Sequence, residues 1–201
     1  MPNKIIQLIG PMESKDSIDF LMDTIIIDGG LNRVKDTISK FKKVKEIVGD
    51  NDSNVTSHTM TKKLARDKDF SDLEYALQIT KEKKYSNVIL NGFLGGRRDH
   101  EFSNILTVAG SIKEMGPNNF RMMIDSKILI TNNMSEKLVH RGLFSIFTID
   151  NNIISLSGKI KYPLNKACIR PLSSHGLSNE ASGEFELTNT NQRTLIIFFE
   201  D

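Results

Sequence analysis

The chain has 201 residues, 38% hydrophobic and 26% charged, with 27 Lys and Arg against 25 Asp and Glu. That composition describes a folded globular protein and excludes the disordered class, and a net charge of +2 excludes a dedicated nucleic-acid binder. A single cysteine, Cys168, allows no internal disulfide and no cysteine-based zinc site, which fits a reducing compartment; no apolar run approaches the ~18–20 residues of a membrane span, so the expected location is cytoplasmic.

Taken in order, Lys4–Ile9 predicts a first strand, ended by Gly10-Pro11, and Asp16–Leu21 a short helix. Thr24–Ile27 predicts a second, buried strand that stops at Asp28-Gly29-Gly30. Leu31, Val34, Ile38 and Phe41 recur at helical spacing, so a helix is expected over 31–41. Val44–Val48 is the third strand, and it runs into Gly49-Asp50-Asn51-Asp52-Ser53. Continuous β-branched runs alternating with helices predict a parallel sheet covered on both faces. Ligands of such sheets bind at the carboxyl ends of the strands, where Asp50 and Asp52 stand. At ~4 Å and an effective dielectric of ~20, two such carboxylates repel by about 4 kcal/mol. A cation is therefore expected between them, and an oxygen-only site suits Mg²⁺ with a polyphosphate. The competing reading is turn chemistry, since Asp, Asn and Ser all favour loops.

Residues 54–67 read as a loop with a short helix ending near Arg66. Ser71 with Glu74 three residues on is a capping box, so a helix starts there and runs to about Lys84, with Leu73, Ala76 and Leu77 inward. Asp72 falls in its first turn, where the helix dipole favours a negative charge, and a carboxylate so placed can also face a metal. Tyr85–Leu90 is a fourth strand, leaving into Asn91-Gly92-Phe93-Leu94-Gly95-Gly96-Arg97-Arg98-Asp99-His100. Glycines and two arginines opening a helix can cradle phosphate; a glycine turn with Asp99 as helix cap explains the same residues.

Beyond Gly116-Pro117 the pattern changes to short strands and turns, which predicts an all-β unit. One hairpin is expected over 120–131 around Asp125-Ser126, another over 143–156 around Asp150-Asn151-Asn152, and further strands over 159–164, 184–188 and 194–199. The expected fold is an α/β N-terminal domain over residues 1–123, a Rossmann-like parallel sheet with helices on both faces, followed by a smaller all-β C-terminal domain over 124–201. Several familiar motifs fail on spacing. A calcium loop opening at Asp50 has Val55 and Thr61 where glycine and glutamate are required, Gly92–Gly96 does not fit the dinucleotide fingerprint, and the four histidines lack zinc spacing.

Together these segments resemble the thiamine pyrophosphokinase family over most of the chain. Asp28-Gly29-Gly30-Leu31-Asn32 is similar to the family's Asp-Gly-Gly-x-Asn, Gly49–Ser53 to its Gly-Asp-x-Asp-Ser, and Asp69–Asp72 to its Asp-x-Thr-Asp with serine for threonine. Gly95–His100, with Asn104 one turn later, resembles Gly-Gly-Arg-x-Asp-His, and Tyr162-Pro163-Leu164 and Ser178-Asn179-Glu180 match two late landmarks. The resemblance implies transfer of pyrophosphate from ATP to thiamine with Mg²⁺, in a homodimer whose active site is shared between subunits. It implies Mg²⁺ on Asp50, Asp52 and Asp72, with Asp28 nearby. Nucleotide contacts are implied for the segments around Asp28, Gly29, Asn32, Ser71, Gly95, Gly96, Arg97, Arg98 and Asn104, and thiamine contacts for Tyr162, Ser178 and Asn179. Asp72 and Asp99 are the candidates for accepting the hydroxyl proton. Three rivals are weighed against it. A pyrophosphokinase acting on a hydroxymethylpterin has no use for Ser178 and Asn179, a glycosyltransferase leaves Asp28-Gly29-Gly30 and the Gly-Gly-Arg loop unexplained, and a non-catalytic nucleotide or thiamine sensor gains nothing from three clustered carboxylates.

Overall fold

The computed structural model describes residues 4–50, 61–65, 67–117 and 119–200. In chain order the elements are β1 (Ile5–Ile9), β2 (Asp23–Ile27), α1 (Gly30–Val34), a 3₁₀ turn (Ile38–Lys40), β3 (Val44–Gly49), β4 (Lys62–Lys63), α2 (Asp72–Glu82), β5 (Asn87–Asn91), α3 (Arg98–Met115), β6 (Arg121–Ile124), β7 (Ile128–Thr131), β8 (Ser135–Thr148), β9 (Asn152–Ile160), β10 (Leu164–Ile169), β11 (Asn179–Asn189) and β12 (Leu195–Phe199). No described helix is long and apolar enough to cross a membrane.

The expected α/β class is not what forms. The described chain is mostly β, with twelve strands in one mixed sheet ordered β10-β9-β11-β8-β12-β7-β6-β5-β1-β2-β3-β4. Against them stand three α-helices among the described residues, one of only five residues. A Rossmann-like parallel sheet with helices on both faces is thereby corrected. The reasons are local. The helix expected over 16–21 is absent, because Gln7 inside β1 reaches out to bond both the N–H and the C=O of Asp19. The Asp19 carboxylate also accepts the N–H of Leu21 at 2.8 Å, a turn rather than a helical pattern. The helix expected over 31–41 stops at Val34, where the hydroxyl of Thr37 donates to the Val34 carbonyl at 3.2 Å and competes with helical bonding.

Two compact units emerge, one of Met1–Ser111 with Met122–Ser126, the other of Ile112–Arg121 with Lys127–Asp201. In the first, β1 pairs in parallel with β2 and β5, and β2 with β3. Ile6, Leu8, Ile9, Ile25, Ile26, Val48, Val88 and Leu90 are fully buried along these strands. One core cluster joins Ile9, Ile26, Leu31, Val34, Phe41 and Ile47, so the short α1 is held by packing rather than by its own length. The capping box forms as expected: the Ser71 hydroxyl accepts the N–H of Glu74 at 3.1 Å and α2 begins at Asp72. Ser71→Ala is expected to cost about 1 kcal/mol of stability, read as a lowered denaturation midpoint with unchanged slope.

The second unit is antiparallel. Along β11 burial alternates strictly from Asn179 to Leu187, the signature of a sheet with one covered face. Phe144 of β8 and Phe185 of β11 stack inside it, 4.8 Å between ring centres. The hairpin expected over 143–156 does not form, because β11 lies between β8 and β9 and pairs with both. The side chains Asn152 and Asn189 seal that arrangement with a buried bond of 2.9 Å. The loop and short helix expected over 54–67 fall largely outside the described residues; the described part includes the two-residue strand β4.

Candidate active site

Asp28, Asp50 and Asp72 occupy one edge of the first unit. Ile27 pairs with Val48, so the exits of β2 and β3 lie side by side, and the N–H of Asp28 donates to the Val48 carbonyl at 2.7 Å. Gly49 lets this happen: a Cβ there would sit 2.9 Å from both Cβ and Oδ1 of Asp28. Asp50, half-buried, follows directly. Asp72 reaches the same edge by a longer route. The end of α2 stands at the amino ends of the strands, where the ammonium of Lys4 donates to the Lys83 carbonyl at 3.0 Å and Tyr85 donates to Asp23 at 2.6 Å. Eleven helical residues span about 16 Å, the length of a five-residue strand at ~3.3 Å per residue. The start of α2 therefore lies at the carboxyl ends.

These carboxylates are not gathered equally. Asp72 is paired with Lys68, 3.0 Å between Nζ and Oδ1. Among the described residues no group of three or more Asp, Glu, His or Cys side chains is arranged to hold a metal. Asp52 lies outside the described residues. The donor chemistry itself, carboxylate oxygens at adjoining strand exits, suits a hard divalent cation.

The glycine-rich segment after β5 is held from within. Both oxygens of the Asp125 carboxylate are engaged by backbone N–H groups, Gly92 at 2.6 Å to one and Phe93 at 2.9 Å and Leu94 at 2.8 Å to the other. Asn104 donates to the Phe93 carbonyl at 2.9 Å, and the N–H of Gly95 donates to Glu101. Gly95, Gly96, Arg97 and Arg98 are exposed. Arg97 grips Asp99 with two bonds, 3.1 and 2.6 Å. That guanidinium holds the Asp99 carboxyl below the usual carboxylate range, which weakens it as a proton acceptor. Asn32 sits in α1, its N–H donating to the Gly29 carbonyl at 3.1 Å.

Arg33 and Asp125 carry roles that the sequence did not announce. The Arg33 guanidinium donates to the carbonyls of Gly10 and Asn91 and to the Asn91 side chain, each at 2.9 Å, tying α1 to the exits of β1 and β5. Burial lowers its pKa, partly offset by the charges of Asp125 and Glu13. The only sequence signal for Arg33 was its place beside Asn32; for Asp125 it was a turn residue.

The second unit carries a cavity of about 210 Å³ lined by Phe144, Ile146, Tyr162, His175, Leu177 and Asn179, among others. Gly176 presses onto β8 at its wall, where a Cβ would lie 2.1 Å from the Ile146 carbonyl. Tyr162 is 56% exposed, with the Lys161 ammonium 5.7 Å from its ring centre. Asn179 is buried and committed to backbone: it accepts the N–H of Tyr162 at 3.0 Å and of Glu180 at 2.8 Å, and donates to the Tyr162 carbonyl at 2.7 Å. Ser178 takes left-handed backbone, φ 58°, its N–H on the Ser145 hydroxyl at 3.0 Å. Its own hydroxyl is on an exposed residue.

Residues 22–117 match the family model of the thiamin pyrophosphokinase catalytic domain. Among solved structures, the chain is similar to a thiamine pyrophosphokinase from Bacillus subtilis at 23% identity and TM-score 0.74, covering 98% of this chain and 100% of that one. A thiamin pyrophosphokinase from Geobacillus thermodenitrificans aligns at 20% identity and TM-score 0.70, covering 98% of each chain. One from Candida albicans aligns at 15% and 0.65, covering 98% of this chain and 90% of that. At these identities the likeness is one of fold. No curated protein matches the sequence. The matched residues include the exits of β2, β3 and β5 and the start of α2, so over this stretch, just under half of its length, the chain matches the thiamin pyrophosphokinase catalytic domain.

Proposed function

We propose that this enzyme transfers the pyrophosphoryl group of ATP to the hydroxyethyl oxygen of thiamine, with Mg²⁺, giving thiamine diphosphate and AMP. The observation that carries the reading is the catalytic-domain match over 22–117, because every acidic and glycine-rich segment singled out in the first unit falls inside it. In this reaction a bond forms between the thiamine oxygen and the β-phosphorus. The bond from that phosphorus to the oxygen bridging it to the α-phosphorus breaks, that oxygen leaves with AMP, and the hydroxyl proton passes to a base.

Phosphoryl transfer asks the protein for alignment and charge neutralisation rather than covalent help. Asp50, Asp52 and Asp72 are assigned to hold Mg²⁺, with Asp28 beside them; the ion, when bound, supplies positive charge to the phosphate oxygens. Lys68 fixes the Asp72 side chain before anything binds. Gly95, Gly96, Arg97 and Arg98 are assigned to the phosphate chain, a role that a glycine-rich helix start and guanidinium forks suit; the Gly95 N–H, on Glu101, and Arg97, on Asp99, would exchange those partners for phosphate. Asn104 holds the loop by its bond to Phe93, and Ser71 sets the start of α2 and so the place of Asp72. Gly29 and Asn32 shape the nucleotide side at α1. Asp72 and Asp99 are the two candidates for taking the proton, each held by a cation, Lys68 and Arg97.

In the second unit the thiamine rings are assigned to the cavity beside Tyr162 and Ser178. The positively charged thiazolium suits an aromatic face, and Asn179 acts by fixing the Tyr162 backbone. A homodimer with a shared active site and a cytoplasmic location complete the reading, the latter consistent with the lone exposed Cys168. The test is to incubate the purified chain with thiamine, ATP and Mg²⁺. One AMP per thiamine diphosphate is expected, and ADP with thiamine monophosphate would contradict the reading.

A further inference from the structure

We propose that Asp125 is a positioning residue for the nucleotide, acting through the glycine-rich loop. Its carboxylate collects three consecutive backbone N–H groups, those of Gly92, Phe93 and Leu94, at 2.6, 2.9 and 2.8 Å. Successive N–H groups converging on one point make an anion-binding concavity, and here the anion is part of the chain itself. The inner half of the loop is therefore already filled and has no N–H left for phosphate. The outer half, from Gly95 to Arg98, is exposed. A Cβ at Gly95 would meet nothing within 4 Å, so that side of the loop is open. The division of labour follows: Asp125 fixes the base of the loop, and the phosphate chain is met only by its outer half.

Asp125 is itself rigidly placed. Its backbone is left-handed, φ 46°, a conformation aspartate tolerates better than most residues, and its N–H donates to the Leu90 carbonyl at 2.9 Å. The neighbouring Ser126 hydroxyl donates to Asp16 at 2.8 Å. On the other side, the Arg33 guanidinium supplies a compensating positive charge and boxes in Gly92, where a Cβ would lie 2.0 Å from Arg33 Nη1. An aspartate is needed because both carboxylate oxygens are used; asparagine offers one acceptor oxygen and turns an NH₂ group toward backbone donors.

This inference rests on the assignment of the loop to the nucleotide, and the experiment separates the two. Amide hydrogen exchange of the full chain is measured with and without ATP and Mg²⁺, alongside steady-state kinetics. In the unsubstituted protein Phe93 and Leu94 are expected to exchange slowly whether or not nucleotide is present, and Gly96 to be slowed only by nucleotide. In Asp125→Asn the exchange of Phe93 and Leu94 is expected to rise about tenfold or more, and KM for ATP to rise about tenfold, the scale of losing a charge-assisted bond. KM for thiamine is expected to stay within about twofold, since that site is assigned to other residues. Fast exchange at Phe93 and Leu94 in the unsubstituted protein overturns the proposal without any variant. So does an Asp125→Asn protein whose loop loosens while KM for ATP is unmoved. Absence of any ATP effect on the unsubstituted chain would instead refute the nucleotide assignment on which the proposal rests.

Discussion

Replacing Asp50 or Asp52 by asparagine is expected to lower turnover at least about 10²-fold, the scale of losing one preorganised electrostatic contact in a reacting site. Stability should not fall with it. Asparagine has the same shape, and carboxylates assigned to one cation repel each other in its absence, by about 4 kcal/mol per pair at ~4 Å and an effective dielectric of ~20 before solvent and pairing reduce it, so removing one charge relieves repulsion. The thermal midpoint of either variant is therefore expected at or slightly above that of the unsubstituted chain, the usual mark of a site that trades stability for function. Parallel loss of activity and stability would assign these aspartates to turn structure instead. Kinetics and a thermal melt on the same preparation distinguish the two.

Gly30→Ala has the opposite profile. Gly30 opens α1 and is buried; a Cβ there would lie 2.3 Å from the Ile9 carbonyl oxygen and 2.9 Å from its carbon. Both are backbone atoms of a central strand and cannot swing aside. Helix propensity favours alanine by about 1 kcal/mol, so the substitution sets a local gain against a clash. Overpacking of this kind costs about 1–3 kcal/mol or more, and a contact this short belongs at the top of that range. The net expectation is a loss of about 2 kcal/mol, or about 4–8 °C in Tm for a chain of this size. Activity should drop as well, since α1 follows Asp28 and Gly29 and cannot retreat without moving them. A midpoint equal to or above that of the unsubstituted chain would show that β1 yields and that Gly30 is not a packing requirement.

What the sequence made legible was local. Ser71 and Glu74 announced the start of α2 because a capping box involves only four residues, and Ile25–Ile27 announced a buried strand by composition. Strand order was not local. Asp150-Asn151-Asn152 has good turn chemistry, yet β8 and β9 are kept apart by β11, whose register with both depends on residues 21–53 positions away. The fold class failed for a related reason: Gln7 and Thr37 stop helices with side-chain bonds that periodicity does not register. In the candidate site, aspartates at strand exits could be read because glycine and carboxylates cluster there in sequence. Asp125 could not, since its three partners lie 31–33 residues earlier. Asn179 was read as a substrate contact, and its side chain is spent on the backbone of Tyr162 and Glu180. A motif gives the residue but not which way its polar atoms are used.

Carboxylates from separate turns of the first unit are assigned to hold a divalent cation for the nucleotide. A titration of the full chain with Mn²⁺, followed by electron paramagnetic resonance with and without a non-hydrolysable α,β-methylene analogue of ATP, tests it without relying on turnover. Saturable binding is expected, tightened by the analogue and weakened by about tenfold or more in each of Asp50→Asn and Asp52→Asn. Binding of equal strength in the unsubstituted chain and both variants would contradict it.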